Sequence, residues 1–349
     1  MNKRFAQVAA ITAVAAFALS GCSSSGGGES GSGGTLSMYC ALPDEECNDF
    51  ITDFESETGI DVQSVRLSAG EILSRVEAEK GHPNAAVWFG GSTDNFINAA
   101  SKDLLEKYEA EDIGEIPEEY RDETGHWTPF YVGAIGLATN EEWLDESGNE
   151  APDSWEDLLD PKYKGNVMMA HPASSGTAYT TLAAFVQLWG EDKAFEYLKK
   201  LNGNIRHYTN SGSAPASQAG IGETNVGISF SHDILAAKAE GYPIKLTFPS
   251  EGVGSEVGAT ALIKGAPEAE QKAAKTFIDW VVGKEGQNTF ARNGWFHLPL
   301  RADADVPDGA IPLSEIKLVD YDAQWAAEHR DELLDRFSKE VAGQSEAKD

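Results

Sequence analysis

Beyond residue 35 the apolar positions of this chain alternate between two patterns. Short unbroken runs, such as VWF at 87–89 and VMMA at 167–170, are followed by stretches in which apolar residues recur every third or fourth place. The first pattern reads as a buried strand and the second as an amphipathic helix, so their alternation predicts an α/β fold. Strands are expected at 36–40, 60–67, 85–89, 166–170, 205–208, 226–230, 244–248 and 257–263. Long helices are expected at 177–189, 193–201, 268–282 and 324–342. Pro43 suits the first turn of a helix that Gly59 closes. Ser68 and Glu71 have the spacing of a capping box for the next one, which Gly81 ends.

The residues at the strand-to-helix junctions carry the chemistry. They read Gly90-Gly91-Ser92-Thr93-Asp94, His171-Pro172-Ala173-Ser174-Ser175-Gly176-Thr177, Asn210-Ser211-Gly212-Ser213 and Ser231-His232-Asp233. In open α/β sheets ligands bind in the crevice at the strand C-termini. Helix N-termini there present unpaired N–H groups and a positive dipole end. Glycine admits a close backbone approach and Ser or Thr adds a hydroxyl donor, so converging junctions of this kind form an anion site. Any one Ser or Thr is better explained as a helix cap. Ser175-Gly176-Thr177 and Ser211-Gly212-Ser213 together favour ligand contact.

The N-terminus changes the picture from a soluble domain to an exported one. Lys3 and Arg4 precede an alanine-rich apolar stretch that ends in Leu19-Ser20-Gly21-Cys22. Residues 1–21 therefore read as a cleaved signal segment, and the Cys22 box resembles that of bacterial lipoproteins, whose cysteine is acylated. Residues 22–34 form a Gly/Ser tether with a reach of about 20 Å, which would hold the folded part near a membrane, outside the cytoplasm. Export makes Cys40 and Cys47 a disulfide candidate; two buried free thiols are the alternative. The 57 acidic against 27 basic side chains give a net charge of −30, which becomes −32 once Lys3 and Arg4 are removed. Such a surface repels nucleic acid.

Taken as a run, VWFGGSTDNF, PASSGTAYTTLAAF, NSGSAPASQAGIG, GISFSHDILAAKAEGYPI, FPSEG and DYDAQWAAEHRDELLDRF resemble the substrate-binding proteins of bacterial ABC importers. The subgroup is the one that holds ferric-ion, thiamine, 2-aminoethylphosphonate and hexose-phosphate receptors. The resemblance implies a periplasmic-binding-protein-like fold of type II, with two lobes and two hinge crossings. The crossings are expected near 131–139 and 251–258, which puts 35–134 and 256–349 in lobe one and 135–255 in lobe two. Gly133, Gly136, Gly252 and Gly254 would suit hinge torsions. The implied partners are a small anionic solute, the permease of the same transporter, and the membrane through the N-terminal lipid.

Ferric-binding relatives carry adjacent tyrosines after the GISF-type strand, whereas Phe230-Ser231-His232-Asp233 stands here. His232, Asp233 and Glu251 instead resemble the sugar-reading residues of hexose-phosphate receptors, with Ser92, Thr93, Ser174, Ser175, Gly176, Thr177 and Ser211–Ser213 toward the phosphate. Carboxylates accept from hydroxyls and histidine offers one donor and one acceptor. The leading expectation is thus a receptor for a phosphorylated or phosphonate solute, without cofactor or resident metal; ferric ion is the alternative. A hydrolase is disfavoured, because the consecutive Ser231, His232 and Asp233 cannot form a triad and no HExxH, GxSxG or Walker A motif occurs. His171 and His297, and Trp88, Trp127 and Trp295, are better read as packing residues.

Overall fold

The computed structural model describes residues 34–343. The expected signal segment, Cys22, and the tether up to residue 33 lie outside the described residues. No helix among the described residues is long and apolar enough to cross a membrane.

The strands are β1 (Thr35–Cys40), β2 (Asp61–Arg66), β3 (Val87–Ser92), β4 (Leu105–Glu106), β5 (Thr128–Asn140), β6 (Val167–Ala170), β7 (Ile205–Thr209), β8 (Val226–Phe230), β9 (Ile244–Thr247), β10 (Ser255–Ile263) and β11 (Leu298–Pro299). The helices are α1 (Asp44–Thr58), α2 (Ala69–Ala78), α3 (Thr93–Ser101), α4 (Glu141–Ser147), α5 (Gly176–Trp189), α6 (Glu191–Asn202), α7 (Ala214–Gly220), α8 (Ser231–Ala239), α9 (Gln271–Val282), α10 (Lys284–Asn293), α11 (Ala323–Glu328) and α12 (Arg330–Phe337). Local signals account for many of their ends. Acidic Asp44 and Glu45 favour the N-terminus of α1, and Gly59, at φ 69°, closes it with its N–H on the Glu55 carbonyl. Cys47, Phe50 and Phe54 form the buried face of α1, and Cys40 and Cys47 are joined in a disulfide with their Cα atoms 6.4 Å apart.

The strands run in the order β2-β1-β3-β10-β5-β8-β6-β7. The long strand β5 belongs to both halves of the molecule. Up to Ala134 it pairs with β10, and from Ile135 it pairs with β8. The second crossing runs beside it, where the Ile135 N–H donates to the Gly254 carbonyl at 2.9 Å. Two sets of buried side chains flank this line. Phe50, Phe89, Phe130 and Phe277 belong to the first half, and Trp155, Tyr179, Phe185 and Phe195 to the second. The fold is therefore two α/β lobes of the type II arrangement, joined by two extended crossings.

Three expectations need correction. The single helix at 324–342 is broken at His329 into α11 and α12, followed by a short wider turn. The tail was assigned to lobe one, but Ala326, Leu333, Phe337 and Val341 are buried in the second core, because their apolar face packs beside α5 and α6. The tail also reaches lobe one, where Arg330 pairs with Asp94 at 3.2 Å and Asn98 donates to the Ala327 carbonyl. Of the four candidate hinge glycines, only Gly252 has a positive φ, 122°. Gly133, Gly136 and Gly254 stand instead where a β-carbon would strike His232, Leu246 and Ala184.

Candidate functional site

Between the lobes lies a cleft lined from both sides by loop ends that the strands deliver. From lobe one come Arg66 at the end of β2, Ser68 and Ala69 at the start of α2, Gly91 and Ser92 at the end of β3, Tyr131 on β5, Glu256 on β10, and His297. From lobe two come Ser175, Gly176 and Thr177 at the start of α5, Ser211–Ser213 before α7, and Phe230, His232 and Asp233 at the β8–α8 junction. The lobes touch directly at the rim. Arg66 donates to Ser211 Oγ at 2.9 Å, Ser68 Oγ donates to the Asn210 carbonyl at 3.0 Å, and the Gly70 N–H donates to the Ser174 carbonyl at 2.9 Å. This is a closed conformation.

The lining divides chemically. One group is rich in donors: Arg66, the hydroxyls of Ser175, Thr177, Ser211 and Ser213, and the N-terminus of the 14-residue helix α5. Arg66 is the only lysine or arginine lining the cleft among the described residues. The other group holds His232, Asp233, Glu256, His297 and Tyr131. The His232 and His297 rings stack at 3.6 Å, and His232 Nε2 lies 3.9 Å from Asp233 Oδ2 and 3.8 Å from Glu256 Oε1. Space for this packing comes from two glycines: a β-carbon at Gly133 would lie 2.6 Å from His232 Nδ1, and one at Gly258 would overlap the Tyr131 ring.

The sequence of this two-lobed chain matches the model of a family described as bacterial extracellular solute-binding proteins over residues 91–324. The chain belongs to this family. A Haemophilus influenzae protein is 37% identical over 322 residues, covering 90% of this chain and 92% of the relative. A putative 2-aminoethylphosphonate-binding periplasmic protein of Salmonella typhimurium is 28% identical over 263 residues, 73% of this chain and 74% of the relative. Among solved structures, the periplasmic binding protein AfuA of Actinobacillus pleuropneumoniae, bound to exogenous fructose-6-phosphate, aligns with a TM-score of 0.86 at 38% identity, covering 89% of this chain and 99% of AfuA. The chain is a solute-binding receptor of the ABC-importer type.

In this solute-binding protein the structure brings together Ser92, Ser175, Gly176, Thr177, Ser211, Gly212, Ser213, His232 and Asp233, all of which line the cleft. Thr93 and Ser174 do not. Thr93 is buried in the first turn of α3, and Ser174 Oγ donates to the His171 carbonyl while its own carbonyl meets Gly70. Glu251 is a correction. Its carboxylate accepts from Ser154 Oγ at 2.9 Å and from the Trp155 N–H at 3.0 Å, so it ties down the 154–156 turn away from the cleft. Glu256 takes the cleft position instead. The signal for it was a glutamate on the buried face of a strand whose pattern is otherwise apolar or small. Arg66 and Ser68 were missed as well, although Arg66 ends a strand at a junction of the kind that supplied the other candidates.

Burial governs the electrostatics of the second group. It raises the Asp233 carboxyl to about 7, against Ser229 and Arg66, which act in the opposite direction. It raises Glu256 well above the carboxylate range, helped by the Asp233 charge. It lowers His232 to about 3 and holds His297 well below its ordinary value. The histidines are therefore neutral at pH 7, and each offers one donor and one acceptor. The Tyr131 phenol is raised far above its ordinary value by burial and by the neighbouring Glu256 and Glu46.

Proposed function

We propose that the cleft captures a phosphorylated small molecule, with a hexose phosphate as the best-fitting class. The observation that carries this reading is the division of the lining into a donor group around Arg66 and the α5 N-terminus, and a neutral or proton-holding group around His232, Asp233 and Glu256. A phosphoryl group needs donors and positive charge. A polyol needs alternating donors and acceptors, which neutral imidazoles and partly protonated carboxyls supply. AfuA, solved with fructose-6-phosphate, is the sequence-similar structure that supports the same class. Ferric ion is the weaker reading, because a hard metal wants phenolate oxygens and, among the described residues, Tyr131 alone brings a phenol to the cleft lining. We further propose that the receptor is held outside the membrane through an acylated Cys22.

Glucose 6-phosphate at 100 times its dissociation constant should stabilise the protein by about 2.7 kcal/mol, and glucose should not. Thr177→Val or Arg66→Gln removes a hydrogen bond to a charged group, worth about 1.5–3 kcal/mol, so calorimetry should show binding weakened by about 10-fold to 150-fold. Equal thermal shifts for glucose and its phosphate would reject the phosphoryl reading; a shift with ferric citrate alone would transfer it to iron.

A further inference from the structure

Arg66 reaches the cleft from a poorly anchored strand. Its strand, β2, stands at the edge of the sheet, and none of the six residues in it is buried. The strand is held by its parallel ladder to β1, in which Arg66 lies opposite Cys40. The Arg66 side chain takes its direction from hydrogen bonds. Nη2 donates to Ser211 Oγ at 2.9 Å, a contact between lobes that needs closure. Nε donates to the Leu42 carbonyl at 3.3 Å, within lobe one, and needs no closure.

The Leu42 carbonyl is in turn held by its loop. Ala41, Leu42 and Pro43 line the cleft and lead from β1 into α1. The Ala41 N–H donates to the Phe89 carbonyl at 2.8 Å. The buried Leu42 side chain lies against Gly90, where a β-carbon would come within 2.9 Å of its Cγ. The Cys40–Cys47 disulfide closes this loop into a ring, with a sequence separation of 7. The stabilisation that a disulfide gives the whole fold grows with the length of loop it closes, so a ring this short contributes less than a long one. What it fixes tightly is local, the path of residues 41–46.

We infer that the Cys40–Cys47 disulfide is a positioning device for solute capture: by fixing the Leu42 carbonyl, it aims the Arg66 guanidinium at the phosphoryl group. The inference rests on the phosphoryl reading of the cleft and adds the cysteine pair to it. The physical basis is pre-organisation. A long side chain that is already aimed loses less rotamer freedom when the solute arrives. Without the bridge, residues 41–46 gain freedom and the Leu42 carbonyl no longer holds one place. Arg66 then meets the same phosphoryl group at a greater ordering cost, and affinity depends on whether the two sulfurs are joined.

Two variants remove the bridge. One is Cys40→Ala with Cys47→Ala; the other is Cys40→Val with Cys47→Ala, which fills the space at residue 40 with a side chain suited to a strand. In calorimetric titration both should bind glucose 6-phosphate about tenfold more weakly than wild type, the size expected when one long side chain must be ordered afresh. The deciding measurement is the coupling to Arg66. In an Arg66→Gln background the same cysteine changes should alter affinity by less than about twofold, because no guanidinium is left to aim. A bridge that served only stability or closure would weaken binding by the same factor in both backgrounds, and that result overturns the proposal. Wild-type affinity in the bridge-free variants overturns it as well. Failure of both variants to fold would show that the bridge serves the fold as a whole, which also contradicts the proposal. If wild type binds no glucose 6-phosphate, the phosphoryl reading fails and the role of the bridge falls with it.

Discussion

The closed cleft depends on a backbone contact that only glycine permits. Gly70 is the second residue of α2, so its N–H has no partner within the helix; it donates instead across the cleft to the Ser174 carbonyl at 2.9 Å. A β-carbon at Gly70 would lie 2.7 Å from that oxygen and closer still to the Ala173 carbonyl oxygen. Both obstacles are backbone of the opposite lobe and cannot swing aside. Gly70→Ala should therefore act as a wedge. Its local effect on α2 is favourable, since alanine is the better helix former. In the closed state the variant loses the Gly70–Ser174 bond and leaves a buried donor unsatisfied, which costs about 1–3 kcal/mol. If the neighbouring Ser68–Asn210 contact loosens too, the cost moves to the upper part of that range. Since 1.4 kcal/mol is tenfold in affinity, glucose 6-phosphate should bind about 5-fold to 150-fold more weakly. The substitution touches no cleft-lining side chain, so the loss reports closure alone. Titration calorimetry measures it. Small-angle scattering adds the shape: ligand should contract the wild type and contract the variant less. The unfolding midpoint of the unliganded variant should move by less than its ligand-induced shift does. Wild-type affinity together with full contraction would show that the lobes close without this contact, and the wedge argument would be wrong.

Two further outcomes follow from charge and from the N-terminus. The folded-state pKa of Asp233, raised by burial to about 7, means that its stabilising protonation is complete below the unfolded value near 4 and is lost as pH rises through 7. Wild type should therefore lose stability relative to Asp233→Asn between pH 5 and pH 8, by on the order of 2 kcal/mol. His232 and His297, whose lowered values act in the opposite sense, are present in both proteins; denaturant titrations that give the same difference at the two pH values would refute the burial argument. At the other end of the chain, Cys22→Ala should leave the protein with its leader uncut or released from membranes, as fractionation and intact mass would show, and a processed variant that still sediments with membranes would remove the lipid anchor.

Much of the architecture was legible because strands and helices alternate with clear punctuation. Gly59, the Ser68–Glu71 pair and the apolar runs at 87–89 and 226–230 all sit where the elements begin or end. The cleft was legible to the extent that its residues cluster at junctions, which is why Ser175–Thr177, Ser211–Ser213 and His232–Asp233 were found together. Residues that enter the site from within a strand left no such local mark. Glu256 lies on β10 rather than at a junction, and the carboxylate of the nearby FPSEG turn was taken in its place. That carboxylate is held by the 154–156 turn, 95 or more residues away in sequence, a pairing that no periodicity announces. Glu46, 1% exposed and with neither carboxylate oxygen hydrogen-bonded, was hidden for a different reason. In an acidic first turn it reads as one more residue favouring the helix dipole, as its exposed neighbours Asp44 and Glu45 do. Its position on the inward face beside Cys47 and Phe50 follows from the helical period, but the partner it lacks is visible only when α1, α8 and the His297 segment are packed together. The features that sequence could not supply are thus those in which three elements meet on one carboxylate. The same packing of β8, β10 and the His297 segment sets His232, Asp233, Glu256 and His297 together along one part of the cleft, apart from the donors around Arg66.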